Sequence, residues 1–518
     1  MILYQALSTY QILECIEHRQ IYHSEDQCGL LLGTYIVEKF PNYKYLECFF
    51  ERVYLFEFGG IAAKEDTLLP KIEDEFEKTV GCTLEEIEKF YIAGIHTYLQ
   101  VLMLHKGVSF EMFEDGSGAL SRPWVLANIH QGKDPVRYEI LNKYGLYTHD
   151  SSLIEKKWCD FHAQLPDFHD DKAVDFNVLH SFEKLNEETR KKVLTFFGVE
   201  EKIDVNGVDM LVMTQQFSNL GQLSFEDHVL IYQNLFDYYL KDCRIAIKTH
   251  PDDIMYYSIL FPEAKIVNET FPSELIPFVF RELPSRIGTV TSTGINLIAD
   301  YFDSVLRFNE QYEVTFKNNA IYYIALSLIQ YLGVTSLSAV NVNEVQLGNL
   351  IEFNREFSNM RISEAEFAVV GEMDCSDVGY KEVIRRYQEG EIKAVLFLNT
   401  GNGYVWETEE WAVWDELIPI GIRKTRNVDF DNEYYDTEGE FVLYFMSHDK
   451  EMRDKVKEYN TEVTLKNTGT TISVQTYSEQ EMEIRMLRGK LEATERRLLE
   501  YIENEKKLKA RIADYEGK

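Results

Sequence analysis

No window of this chain approaches the roughly 18 uncharged apolar residues that a membrane span requires. Basic clusters are missing too. Lys and Arg number 53 against 87 Asp and Glu, a net charge of −34, so a nucleic-acid duplex or an anionic membrane surface would be repelled. Nucleic acid is therefore not an expected partner. There is no C-x-x-C pair: Cys15, Cys28, Cys48, Cys82, Cys159, Cys243 and Cys375 are odd in number and scattered, which argues against a disulfide framework or a zinc site and for reduced thiols. The opening Met1–Ala6 lacks the charged segment and long apolar core of a signal peptide. A cytoplasmic protein is expected, with at most peripheral contact at the inner face of the membrane.

What the chain does have is length and alternation. Its 518 residues are too many for one core, so several domains are expected. Residues 2–6 read as a buried strand, Tyr10–Arg19 as a helix with Ile12, Leu13 and Ile16 on one face, and Cys28–Gly33 as a second strand. Val53–Phe58, a helix near Leu84–Tyr91 and a strand at Val108–Phe113 continue the alternation, which predicts a parallel sheet covered on both faces. This first domain is placed at 1–200. Helical Leu185–Phe197 then leads to a second sheet built from Val208–Thr214, Arg244–Lys248, Lys265–Val267 and Arg286–Val290, in a domain at 201–330.

Residues 331–477 read as a smaller α+β accessory region. Its strands are expected at Phe367–Gly371, Lys393–Asn399 and Phe441–Met446, its helix near Tyr380–Tyr387, and a hairpin at Val463–Val474 turning through Asn467-Thr468-Gly469. In the last segment, 478–518, Ile484, Leu487, Leu491, Leu498, Tyr501, Leu508, Ile512 and Tyr515 recur in steps of three and four. Ser478 and Glu481 make a capping-box signature ahead of them. A self-associating coiled coil, and so a homo-oligomer, is expected.

The chemistry concentrates at predicted strand ends. Pro251 fixes its own φ and pushes His250 out of the helical region, so the strand ending in Lys248-Thr249-His250-Pro251 should place an imidazole at its carboxyl tip. The later strand opens onto Thr291-Ser292-Thr293-Gly294, and Ile295, Leu297 and Ile298 suggest a helix whose first turn carries the hydroxyls. Amides and hydroxyls at a helix start favour an anion such as phosphate. In the first domain, Glu114-Asp115-Gly116 follows a strand, and a shielded carboxylate there could take a proton from an attacking hydroxyl. Two candidates are weaker: Asp429-Phe430-Asp431 has the form of a metal-binding D-x-D but reads as a solvated turn in so acidic a chain, and His162, Asp167, His169, Asp170 and Asp171 have a spacing that fits no standard metal site.

In order along the chain, Glu114-Asp115-Gly116, His250-Pro251 and Ser292-Thr293 resemble the acidic-acidic-Gly, His-Pro and Ser-Ser/Thr motifs of bacterial sialyltransferases, particularly the lipooligosaccharide sialyltransferase and polysialyltransferase-like group. Thr214-Gln215-Gln216-Phe217-Ser218, Leu223-Ser224 and Phe271-Pro272-Ser273-Glu274-Leu275 add to the resemblance, which covers roughly residues 1–310. It implies an α/β protein of GT-B type, a pair of Rossmann-like domains, that transfers sialic acid or a related nonulosonic acid with inversion from a CMP-linked donor to a glycan acceptor. It implies Glu114 or Asp115 as general base, with Glu114 preferred, and His250 as the group that protonates or hydrogen-bonds the departing phosphate. Ser292 and Thr293 would hold that phosphate and Glu274 the ribose, with Gln215, Lys248, Pro251 and Thr291 completing the donor site. A monophosphate leaving group held this way requires no metal or other cofactor. Two alternatives remain open: a GT-B enzyme using a UDP- or GDP-sugar, and a non-catalytic oligomeric scaffold on a transferase fold.

Overall fold

The structure is a computed structural model and describes residues 1–58, 65–312, 314, 319–371, 378–399, 417–425, 441–464 and 471–516. The chain divides into two compact units. One comprises Met1–Gln215, Arg244–Asp253 and Lys265–Leu306; the other comprises Gln216–Cys243, Ile254–Ala264 and Arg307–Lys518. Both of the predicted parallel sheets fall in the first unit.

The first sheet has seven strands: β1 (Ile2–Ala6), β2 (Cys28–Gly33), β3 (Arg52–Phe56), β4 (Lys89–Ala93), β5 (Phe110–Phe113), β6 (Ile154–Cys159) and β7 (Ala173–Asp175). They lie in the order β3-β2-β1-β4-β5-β6-β7 and every pairing is parallel. Side chains of a strand alternate between faces. Accordingly Ile2, Tyr4 and Ala6 enter one core with Leu30 and Leu32, while Leu3 and Leu31 enter the opposite one. Burial on both faces is why these strands read as unbroken apolar runs.

One expected element is different. Leu84–Tyr91 is not a helix but a 3-10 turn, Leu84–Glu86, followed by β4. Thr83 and Glu86 close a capping box there, but Ile87 is already extended and the apolar residues that follow are strand residues buried between layers. The helices on this face are Glu65–Val80 and Tyr98–Lys106.

The second sheet comprises β8 (Met210–Met213), β9 (Ile245–Lys248), β10 (Lys265–Val267), β11 (Arg286–Thr289) and β12 (Ser304–Arg307), ordered β10-β9-β8-β11-β12. The β8–β9, β9–β10 and β8–β11 pairings are parallel. One core runs from the first sheet through Phe182 and Phe196 to Leu211, Ala246 and Ile287, so the two sheets share an interior. The helix expected after Thr293 is absent. Two 3-10 turns, Thr293–Ile295 and Ala299–Tyr301, stand in its place, and Ile295 and Ile298 are buried by those turns rather than by a continuous helix face.

In the second unit, β13 (Ser336–Val340), β14 (Arg361–Ile362), β15 (Phe367–Val370), β16 (Ala394–Asn399), β17 (Ile418–Thr425), β18 (Phe441–Ser447), β19 (Asn460–Thr464) and β20 (Thr471–Thr476) form one sheet. Its order is β14-β13-β15-β16-β18-β17-β20-β19, parallel through β16 and antiparallel beyond it. The region expected to be a smaller α+β accessory therefore carries an eight-stranded mixed sheet. The turn at Asn467-Thr468-Gly469, Asp429-Phe430-Asp431 and Cys375 lie outside the described residues. The six described cysteines are free, with Cys15, Cys28 and Cys159 buried.

Residues Glu479–Glu516 are one helix. Its start is capped as predicted: the Ser478 amide donates to Glu481 Oε2 at 3.0 Å, and the Glu481 amide donates to Ser478 Oγ at 3.4 Å. Ile484, Leu487, Leu491, Leu498, Tyr501 and Leu508 are all exposed. Among the described residues no helix is long and apolar enough to cross a membrane.

Candidate active site

Strand order reverses direction between β8 and β11, the point in an open parallel sheet where a crevice forms at the carboxyl edge. A pocket of about 210 Å³ lies there. Lys248, Thr249, His250 and Pro251 line it from the end of β9, Met213 and Thr214 from β8, and Ser292, Thr293 and Gly294 from beyond β11. Thr9 and Tyr10, after β1, and Gly116 and Ser117, after β5, complete it from the first sheet. The two carboxyl edges thus meet on one cavity.

His250 is set by its neighbours. Its amide donates to Thr214 Oγ1 at 3.1 Å, and its Nδ1 accepts from the Asp252 amide at 3.1 Å. An Nδ1 that accepts leaves the proton of the neutral ring on Nε2. Burial holds the imidazole below its usual pKa, against the pull of Asp252 and Asp253. Lys39 pairs with Asp252, tying the first sheet to this loop.

Lys248 is buried, donates to the Thr249 carbonyl at 3.2 Å and has its ammonium 4.5 Å from the centre of the Phe271 ring. Burial lowers its pKa to about 8. Glu274, also buried, lines the same pocket and accepts from Ser273 Oγ at 3.2 Å; burial raises its pKa to about 7. Ser292 is an N-cap, its Oγ accepting from the Gly294 amide at 3.2 Å, which leaves its hydroxyl hydrogen available as a donor. A side chain at Gly294 would begin 2.6 Å from Ser273 Oγ, so glycine permits this close approach. Gln215 and Thr291 do not line the pocket. They clamp the rim instead, Gln215 Oε1 accepting from the Thr291 amide at 2.9 Å and its hydroxyl at 2.6 Å.

The two acidic residues of the first sheet part company. Glu114 is completely buried, and its carboxylate accepts from the amides of Gly118 (2.9 Å), Ala119 (3.1 Å) and Asp160 (3.0 Å) and from Gln164 Nε2 (2.9 Å). Burial pushes its pKa up to about 8 in spite of those donors. It lines neither of the two cavities on this edge and shapes the loop. Asp115 lines the adjoining cavity and accepts from Gln11 Nε2 at 3.0 Å. Burial raises its pKa, while Gln11 and Arg137 pull it down. The preference for Glu114 as the group that meets an acceptor is thus not matched by its placement.

Sequence reasoning missed Thr9, Tyr10, Gln11 and Ser117. Tyr10 Oη and Ser117 Oγ are buried without a hydrogen-bond partner among the described residues. So are the carboxyl oxygens of Glu14 and Glu17 on the helix Thr9–Tyr22, and burial raises both of those pKa values well above the ordinary range. Their only signal was polarity on a helix face otherwise read from Ile12, Leu13 and Ile16. His169 pairs with Asp171 at 3.2 Å and Asp170 with Lys157, and no group of three or more metal-ligand side chains occurs among the described residues.

Two parallel sheets whose carboxyl edges share one pocket define the class of fold: an α/β protein of GT-B type. Residues 82–295 match the model of the alpha-2,8-polysialyltransferase family (POLYST). That segment contains Glu114, Asp115, His250, Glu274, Ser292 and Thr293, and the match bears out the resemblance to sialyltransferases. A Haemophilus influenzae (strain Rd) protein described as uncharacterized is 25% identical over 215 residues, 40% of this chain and 65% of its own length. Among solved structures, the sialyltransferase GT-B domain from Photobacterium damselae is 13% identical, with a TM-score of 0.31, covering 57% of this chain and 87% of its own. Methanocaldococcus jannaschii UDP-GlcNAc 2-epimerase is 12% identical, with a TM-score of 0.35, covering 59% and 88%. Likenesses this low assign no residue a role.

Proposed function

We propose that the chain transfers sialic acid or a related nonulosonic acid from a CMP-linked donor to a hydroxyl of a glycan acceptor, with inversion. The observation that supports this most is the gathering of Lys248, His250, Glu274, Ser292 and Thr293 on one pocket whose far wall is the loop carrying Asp115. In this reading Asp115, held by Gln11, takes the acceptor hydroxyl's proton as its oxygen attacks the anomeric carbon. The bond from that carbon to the phosphate oxygen breaks, and the electron pair leaves with the CMP phosphate. Lys248 and the hydroxyls of Ser292 and Thr293 meet the growing negative charge, and His250 Nε2–H hydrogen-bonds or protonates it. One such pre-aimed donor is worth about 3 kcal/mol of barrier. Glu274 accepts from the ribose hydroxyls, and Glu114 holds the loop that presents Asp115. No metal is needed in this scheme. The helix Glu479–Glu516 joins copies of the chain through its exposed seam.

Thermal-shift measurements with CMP, UDP and GDP test the donor, because only a bound nucleotide stabilises the fold. A shift with CMP and none with UDP or GDP is expected; the reverse pattern overturns the donor assignment. His250→Ala should lose hydrolysis of a CMP-linked sugar while remaining folded. Unchanged hydrolysis would remove His250 from the proposed site; no hydrolysis by the parent protein would favour a scaffold.

A further inference from the structure

A second cavity of about 250 Å³ adjoins the first, and Gly116, Ser117 and Thr293 line both. Asp115 lines only the second. If the first takes the donor, whatever brings the attacking hydroxyl to Asp115 must enter the second, so the character of its walls describes the acceptor.

Those walls are mainly apolar. Met112 and Leu120 contribute from the first sheet's edge, and Val125, Leu126 and Ile129 from the helix Pro123–Lys133. No Phe, Tyr or Trp among the described residues lines it, so the broad ring on which a bare sugar chain stacks is missing. Its charged side chains are Asp115 and Arg122, and Arg122 is engaged by the carbonyls of Gly118 at 2.8 Å and Ala163 at 3.1 Å. His96 and His149, with ring centres 5.6 Å apart, complete the wall, and burial holds both imidazoles below their usual pKa. An extended polyanion or a chain of free hydroxyls would leave polar groups unpaired against these side chains.

The helix Pro123–Lys133 adds a second observation. None of its residues is buried, although it carries Trp124, Val125, Leu126, Ala127 and Ile129, and Trp124 and Val125 are about half exposed. The helix meets the neighbouring core through Ala127 and turns Val125, Leu126 and Ile129 to this cavity. Gly118, at φ +81°, lets the loop beneath it turn, with the Ala163 carbonyl oxygen 2.4 Å from where a Cβ would stand.

We infer that the second cavity is the acceptor subsite and that it receives an apolar aglycone, an alkyl or aryl group attached next to the accepting sugar. This rests on the glycosyltransferase reading for its function but not for its measurement. Binding is measured by calorimetry without any donor, using lactose, hexyl β-lactoside below its micelle concentration, and phenyl β-lactoside. Each methylene buried against apolar side chains is worth roughly fourfold in affinity, so at least a tenfold advantage over lactose is expected for one glycoside. An advantage for hexyl alone identifies an alkyl group as the occupant, and for phenyl alone an aryl group. The Leu126→Asp variant, altered on a helix with no buried residue, should lose that advantage. Equal binding of all three ligands overturns the inference, as does an advantage that survives Leu126→Asp. The CMP thermal shift is scored separately: a CMP shift with no aglycone preference sinks this inference alone, and the preference without a CMP shift sinks the donor assignment alone.

Discussion

Gln11 Nε2 donates to Asp115 Oδ1 at 3.0 Å and to the Asp115 carbonyl at 3.3 Å, while its own Oε1 accepts from the Leu7 amide at 2.7 Å. One amide side chain thus fixes the loop after β5 to the turn after β1. It also stabilises the charged form of the carboxylate that burial disfavours. Asp115→Asn should reduce transfer on the order of 10² to 10⁴-fold, the usual worth of a positioned base. Gln11→Leu should cost less but move the acid limb of kcat/KM to higher pH, because a donor to the ionised form is lost. A limb that stays in place would remove Asp115 from the role of base.

Glu114 is expected to act on folding, because its carboxyl oxygens hold three amides and Gln164 Nε2. In Glu114→Gln one oxygen becomes an NH2 facing N–H donors, leaving at least one buried donor unpaired, at a cost of about 1–3 kcal/mol. Denaturant titration should show that loss. Stability equal to the parent protein would mean that Glu114 does not anchor the loop.

Lys248 is expected to make CMP affinity depend on pH. Its pKa of about 8 means that the ammonium is charged below that point and neutral above it. Affinity should therefore fall by about tenfold as pH rises through 8, the worth of about 1.4 kcal/mol of charge-assisted contact. Lys248→Met should bind more weakly at pH 7 and show no such fall.

Glu274 links pH to stability in a stated direction. Burial raises its pKa from 4.5 to about 7, so the neutral form is favoured in the fold. Its contribution is fully present below about pH 4.5 and is lost as pH climbs through about 7, a change of roughly 3 kcal/mol. Urea unfolding at pH 5 and pH 8 should show the parent protein losing more stability than Glu274→Gln over that interval. Parallel losses would mean that the carboxyl is solvated.

The exposed seam of Glu479–Glu516 should drive association. Light scattering is expected to show an oligomer for the full chain and a monomer for Leu487→Glu combined with Leu491→Glu. An unchanged mass in that double variant would place self-association elsewhere, or nowhere.

Most strands of the first unit were legible because burial on two faces demands continuous apolar runs, and Cys28–Gly33 and Ile245–Lys248 are buried throughout. His250 at a strand tip followed from the rigidity of Pro251, and the cap at Ser478 from its spacing to Glu481. Those are local effects, set by a residue and its near neighbours in sequence. Leu84–Tyr91 was misread because an apolar run carries the same pattern in a short helix and in a strand buried between layers. Which of Glu114 and Asp115 lines a cavity was not local either: it depends on Asp160 and Gln164 converging on one carboxylate and Gln11 reaching the other. By itself, then, the sequence determined the strands, the motif residues and the edge of the sheet they occupy. Only the tertiary structure decided which of them line a cavity, because burial and hydrogen bonding come from residues distant in sequence, Gln11 against Asp115 and Ser273 against Gly294.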